Sequence, residues 1–241
     1  MISKELLLKI GKSKGLANKG HIEKDYFQDL FLSELYNHSN KFIFKGGTCL
    51  YKLFDLPRFS EDLDFSILEK IDTKNIVKIS EKIGANVKNI RETRDSILIK
   101  LVFKGIVTSS NTLRIDINTK NIPFNYEVKH FISPYIDINP FSIRVLDLKE
   151  ILAEKIHSIL SRERARDLYD LFFILRFVKP EREIIDKKLE IFDMKFNFLE
   201  FKKKVNKLKT VWIYELKPFL LTEPIEFKIA KDFVIEKLKN I

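Results

Sequence analysis

Apolar side chains recur at Ile22, Tyr26, Phe27, Leu30, Phe31 and Leu35, a spacing that predicts an amphipathic helix over residues 22–36. The period then changes. Residues 41–45 (KFIFK) form a short aromatic run of strand length that ends at Gly46-Gly47, and residues 48–56 have the spacing of a short helix closed by Pro57. Residues 63–67 (LDFSI) return as a strand headed by Asp62 and Asp64. Residues 73–84 predict a helix, and residues 96–103 and 112–118 predict strands parted by a loop over 105–111. From Leu148 the pattern turns helical, with helices expected over 148–160, 167–177, 181–192, 198–208 and 225–238. An α+β fold follows. The expectation is a mixed sheet with flanking helices over residues 1–145, the N-terminal helices included, and a mostly helical domain over 146–241. The chain shows no internal repeat and no low-complexity tract.

Composition narrows the picture. A chain of 241 residues with 45% hydrophobic and 12% aromatic residues fills a core without staples. The single Cys49 excludes an intrachain disulfide, and His21, His38, His130 and His157 lack the spacing of a zinc site. No apolar run reaches the roughly 18–20 residues of a membrane span, and the N-terminus lacks the features of a signal peptide, so a soluble, cytoplasmic protein with no membrane partner is expected. The net charge of +10 raises the local concentration of polyanions such as RNA or nucleotides, although a Lys-, Ile-, Asn- and Phe-rich composition is equally what an AT-rich genome yields. Lys202, Lys203, Lys204, Lys207 and Lys209, near Phe198, Phe201 and Trp212, read either as a solvated helix face over core aromatics or as an RNA-binding patch.

The candidate chemistry lies between residues 45 and 116. Asp62 and Asp64, two apart on a strand, emerge on one face and suit a shared cation. In Leu113-Arg114-Ile115-Asp116-Ile117 the carboxylate stands on the alternate register to the apolar residues, from where a neighbouring strand would bring it to the same ions. Three carboxylates around Mg2+ or Mn2+ suit phosphoryl or nucleotidyl transfer, in which two ions ~3.5–4 Å apart clamp the entering and leaving oxygens. D-x-D alone is common. Sixteen residues before Asp62, however, Gly46-Gly47-Thr48 lies between a strand and a helix and offers backbone N–H groups and a helix start to a phosphate. Arg58 and Ser60 flank the first carboxylate closely enough to touch phosphate, Ser60 serving equally well as a local cap.

The run Lys45-Gly46-Gly47-Thr48-Cys49-Leu50, followed by Arg58-Phe59-Ser60-Glu61-Asp62-Leu63-Asp64-Phe65, resembles the K-G-G-T-x-L…R-x-S-x-D-L-D-F pattern of the AbiEii-type nucleotidyltransferase toxins. These belong to the DNA polymerase β-like superfamily and act in abortive infection and type IV toxin–antitoxin systems. Glu23-Lys24-Asp25-Tyr26, Arg114-Ile115-Asp116, Glu154-Lys155-Ile156 and Arg166-Asp167-Leu168-Tyr169-Asp170-Leu171 resemble further family motifs, so the likeness spans roughly residues 20–175. Cys49 stands where the family commonly has Ala. The resemblance implies a polymerase β-like fold, in which Lys45, Gly46, Gly47, Thr48, Arg58 and Ser60 bind the triphosphate. It implies too that Asp62, Asp64 and Asp116 hold the metal and are catalytic, with Lys155 and Asp167 contributed by the helical domain and Asp170 the alternative to Asp167. The expected activity is transfer of a nucleoside monophosphate from an NTP to an acceptor, RNA such as tRNA being favoured by charge. A cognate antitoxin encoded nearby is expected as partner. A protein or small-molecule acceptor, or a non-catalytic nucleotide-binding role, are the alternatives.

Overall fold

The computed structural model describes residues 2–120 and 122–241, in two compact units. The first runs to Asp55 and resumes over Phe59–Val145, whereas Leu56–Arg58 joins Leu146–Ile241 in the second.

In the first unit, α1 (Lys4–Ser13) and α2 (Lys19–His38) begin at side-chain caps: the Ser3 hydroxyl accepts from Leu6 N–H, and the Asn18 carbonyl oxygen accepts from Gly20 and His21 N–H. Burial reaches well round α2, taking in Tyr26, Phe27, Phe31 and Leu35 but also Glu23, Asp25, Gln28 and Asp29. Each of these polar groups consequently needs a partner inside the protein.

The sheet comprises β1 (Phe42–Lys45), β2 (Asp62–Ile67), β3 (Ala85–Glu92), β4 (Ser96–Lys104), β5 (Ser110–Asn118), β6 (Tyr126–Phe131) and β7 (Phe141–Leu146), in the order β3-β4-β5-β2-β1-β7-β6. It is mixed, because β2 runs parallel to β5 and β1 parallel to β7 while the pairs β1/β2, β3/β4 and β4/β5 are antiparallel. Helix α3 (Gly46–Leu53) follows β1 without a linker, and α4 (Thr73–Lys82) carries the chain from β2 to β3. One face is apolar: Phe44, Leu63, Phe65, Ile99, Leu101, Phe103, Leu113, Ile115 and Ile117 are all buried. The alternate positions on β2 and β5 are Asp62, Asp64, Arg114 and Asp116.

The second unit is helical: α5 (Leu148–Ser161), α6 (Ala165–Ile174), α7 (Arg182–Glu190), α8 (Phe198–Lys207), α9 (Trp212–Leu216) and α10 (Phe227–Leu238). Trp212 is fully enclosed, its indole N–H donating to Ile225 O at 2.8 Å. Residues 56–58 belong here because Arg58 bridges Leu220, Leu221 N–H donates to Pro57 O at 3.1 Å, and the Arg58 guanidinium pairs with α6. Among the described residues no helix is long and apolar enough to cross a membrane.

Candidate active site

Gly46 sets the geometry. Its φ of +75° lies in the left-handed region, and a Cβ there would stand 2.3 Å from Asp64 Oδ2 and 2.9 Å from Asp64 Cβ and Cγ. The turn from β1 into α3 is therefore pressed against the carboxylate of the neighbouring strand, and only glycine fits. Helix α3 starts at once, and its N-cap residue, Lys45, makes no side-chain capping hydrogen bond. A helix start carries partial positive charge at its backbone N–H groups, which suits an anion.

The first residues of β2 are fixed from two sides. Buried Thr48 on α3 donates its hydroxyl to Asp62 O, so this side chain holds the strand instead of facing solvent. From α2, Gln28 Nε2 donates to Ser60 O at 2.9 Å and Glu61 O at 3.0 Å, and Lys24 pairs with Glu61 at 2.8 Å. Asp62 and Asp64 then project from the face opposite buried Leu63 and Phe65. Parallel pairing sets Asp62 beside Arg114 and Asp64 beside Asp116, while antiparallel pairing sets Lys45 beside Asp64. Residues paired in register share a face. The structure thus brings Lys45, Asp62, Asp64 and Asp116 together around the Gly46 turn, along with Arg114, whose guanidinium donates to Asp116 Oδ2 at 3.3 Å.

Does this face suit a divalent cation? Among the described residues no three His, Cys, Asp or Glu side chains already converge on one point as metal ligands. The donor set is nevertheless all carboxylate oxygen, two residues apart on one strand and in register on the next, the chemistry that Mg2+ or Mn2+ takes. Asp116 is partly exposed, at 30%, and its side chain has room to turn.

The helical unit carries a second group of charges, nearly all buried. Arg58 grips Asp170 in a two-pronged pair, Nε to Oδ1 at 2.7 Å and Nη2 to Oδ2 at 2.6 Å. Lys155 Nζ reaches Asp167 at 2.9 Å and Asp170 at 2.6 Å, and Arg162 donates to Asp167 at 3.1 Å. Burial alone would push the Asp167 carboxyl up, but Lys155 and Arg162 overcome it and hold it at about 2. Burial acts on Lys155 in the opposite sense and is likewise outweighed, here by Asp167 and Asp170, so the ammonium titrates above its ordinary value. Both acids raised by the sequence are thus present in one cluster, with Asp170 shared between Arg58 and Lys155. Ser60 is buried, and its backbone carbonyl rather than its position next to Asp62 is what the protein visibly uses.

The Glu23-Lys24-Asp25-Tyr26 run proves to be scaffolding. The Glu23 carboxylate accepts from Ile106 and Val107 N–H and from the Thr108 hydroxyl, fastening the loop between β4 and β5. Asp25, with Asp29, encloses Lys52, and Asp25 also receives Lys14 and the Tyr135 hydroxyl, the latter at 2.7 Å. Tyr26 donates to Asp137 at 2.6 Å. In the lysine-rich stretch, Lys202 and Lys203 are exposed while Lys204 and Lys207 pair with Glu163 at 3.6 and 2.9 Å, and Phe201 and Trp212 are core residues. Sequence reasoning passed over Arg114 as a site residue, although its place two residues before Asp116 in an alternating strand puts it on the same face.

Comparison with known proteins bears on the fold and the family. None of the curated proteins matches the chain. Among solved structures, MenT4, a nucleotidyltransferase toxin of Mycobacterium tuberculosis, superposes with a TM-score of 0.71 at 19% identity, covering 100% of this chain and 91% of that one. JHP933 from Helicobacter pylori superposes with a TM-score of 0.58 at 20% identity, covering 91% and 90%. At these identities the likeness is one of fold. The model of the family described as nucleotidyl transferase AbiEii toxin, type IV toxin–antitoxin system, matches residues 30–237. With that match extending over most of its length, the chain belongs to the AbiEii nucleotidyltransferase toxin family.

Proposed function

We propose that this nucleotidyltransferase is a metal-dependent toxin that moves a nucleoside monophosphate from an NTP onto an RNA acceptor, tRNA being the expected kind. The observation that carries the proposal is the register Asp64↔Asp116 beside the Gly46 turn, which sets carboxylates next to the start of helix α3 on one sheet face. The backbone N–H groups of Gly46, Gly47 and Thr48 receive the phosphates, with Lys45 beside them neutralising charge. Asp62, Asp64 and Asp116 would hold Mg2+ or Mn2+, which when bound supplies Lewis-acid stabilisation of the reacting phosphate. Asp116, partly exposed on the strand that also bears Arg114, orients the acceptor hydroxyl and takes its proton as the oxygen bonds to the α-phosphorus and pyrophosphate leaves. Within the helical unit Asp167 and Asp170 hold Lys155 as the ammonium. Arg58 is engaged by Asp170 and steadies that pair; it does not enter as a free phosphate ligand.

The net charge of +10 supports RNA over a small-molecule acceptor. Family membership supports a cognate antitoxin encoded alongside, and a role in growth arrest or anti-phage defence in the cytoplasm, where NTPs and tRNA are found. The proposal is tested by supplying each α-labelled NTP with Mg2+ or Mn2+ and separate pools of RNA, protein and small molecules. Label on a discrete RNA supports it, and label confined to protein or small molecules overturns the choice of RNA.

A further inference from the structure

We propose that the open face of strands β3, β4 and β5 is the docking track for the acceptor's phosphate backbone, leading an RNA strand from the sheet edge to the carboxylates. Strand registers define two rows. The first is Asn89, Lys100, Arg114, Asp62, and the second is Arg91, Leu98, Asp116, Asp64, Lys45. In-register residues lie on one face, so each row crosses neighbouring strands on the site's own side of the sheet. At ~4.8 Å per strand, the distance from β3 to β2 is roughly 14 Å.

Three observations favour a polyanion here. Arg91, Lys100 and Lys104 are exposed on this face, and Arg114 is 55% exposed. Among the described residues no carboxylate shares their face of β3 and β4: the other positions there are Asn86, Asn89, Ser96, Leu98 and Val102, while Glu92 pairs with Ile97 on the opposite side. The reverse face is core, with Ile97, Ile99, Leu101 and Phe103 buried, so the strands present cations on one side only. Negative charge is confined to the end of the rows, at Asp62, Asp64 and Asp116. A phosphate backbone is thus attracted along β3 and β4 and meets the carboxylates only at its reacting terminus, where the bound cation of the proposed mechanism would offset repulsion. The loop that carries β4 into β5 is tied down by Glu23, which keeps the face in register. The RNA identity of the occupant rests on the function proposed above; the location rests on the sheet.

The test is binding of a fluorescent single-stranded RNA by anisotropy across a salt series. The proteins compared are the wild type, the triple variant Arg91→Ala/Lys100→Ala/Lys104→Ala, the charge-preserving Arg91→Lys/Lys100→Arg/Lys104→Arg, and Asp64→Asn. The substituted side chains are exposed, so folding is retained. The triple alanine variant is expected to weaken RNA binding on the order of tenfold or more at low salt and to reduce the salt slope by about 0.7 per charge removed, about 2 in all. The charge-preserving variant and Asp64→Asn keep the wild-type slope, and the affinity of the triple alanine variant for NTP, measured separately, does not change. Wild-type RNA binding by the triple alanine variant overturns the proposal, as does equal loss in the charge-preserving one. Charge-dependent RNA binding on this face without any transfer would leave the track standing and remove the transferase reading. Transfer to RNA that ignores all three alanines would do the reverse.

Discussion

Gly46→Ala is the smallest change that strikes the site without removing a functional group. The new Cβ would sit 2.3 Å from Asp64 Oδ2, well inside the 3.0 Å below which real Cβ atoms essentially never approach, and 2.9 Å from Asp64 Cβ and Cγ. Rotation about χ1 moves Asp64 Oδ2 and Cγ but not Cβ, which stays at 2.9 Å, so the clash is not fully cleared and β2 or the turn must shift. Holding alanine at φ +75° adds roughly 1–2 kcal/mol. The stability cost is therefore modest, a Tm drop of several degrees for a chain of this size. On the proposed mechanism the cost to chemistry is larger, because a displacement of about 1 Å in a carboxylate that holds the metal can remove about 10²-fold of activity. Nucleotide transfer measured on material shown folded by circular dichroism separates the two. A loss of about 10²-fold in kcat with a Tm within several degrees of wild type is expected; wild-type kcat would refute the role given to the Gly46–Asp64 contact.

Two further outcomes follow from the buried charges. Lys52 is enclosed with Asp25 and Asp29, all essentially without solvent contact, so Lys52→Met leaves two carboxylates to Lys14 alone; about 3–5 kcal/mol of stability should be lost, seen as a fall in Tm on the order of 10 °C. Asp167 is held at about 2 against an ordinary 3.8, so its pairing stabilises the fold fully above pH 4 and the contribution fades as pH falls from about 4 to about 2. Denaturant unfolding of wild type against Asp167→Asn between pH 6 and pH 2 should show a difference in pH dependence of about 2 kcal/mol, and parallel curves would contradict the assignment.

Much of the site was legible because chemistry and chain order coincide in it. The Gly-Gly turn after a strand, the D-x-D pair and the alternate-register Asp116 are local patterns, and β2–β5 pairing needed only to bring two of them side by side. Helices α2, α4, α5 and α8 announced themselves by apolar periodicity. Strand β3 did not, since at the sheet edge only one of its faces is covered and a register shift between Val87 and Asn89 breaks its alternation. β6 escaped for a related reason: it lies at the opposite edge with Tyr126 and Val128 exposed. Helix α1 escaped too, its Leu6-Leu7-Leu8 run masking a face of which Leu7 is the buried member. The residue-level roles were hardest to read. Thr48 and Arg58 have the side chains of phosphate ligands, but one hydroxyl holds Asp62 O and the guanidinium holds Asp170, partners far apart in sequence. Glu23, Asp25 and Tyr26 stand close together in the chain, but Glu23 reaches the loop between β4 and β5, Asp25 reaches Lys52 on α3 as well as Tyr135, and Tyr26 reaches Asp137.

The central claim is that the carboxylate face of β2 and β5 catalyses nucleotidyl transfer onto RNA. It is tested most directly by incubating the full chain with α-labelled NTPs, Mg2+ and total RNA, beside Asp64→Asn and Asp116→Asn and a chelator control. One discrete labelled RNA species is expected from the wild type, reduced at least ~10³-fold by either substitution and abolished by the chelator. Absence of label on any acceptor, or equal labelling by the wild type and Asp64→Asn, would contradict it.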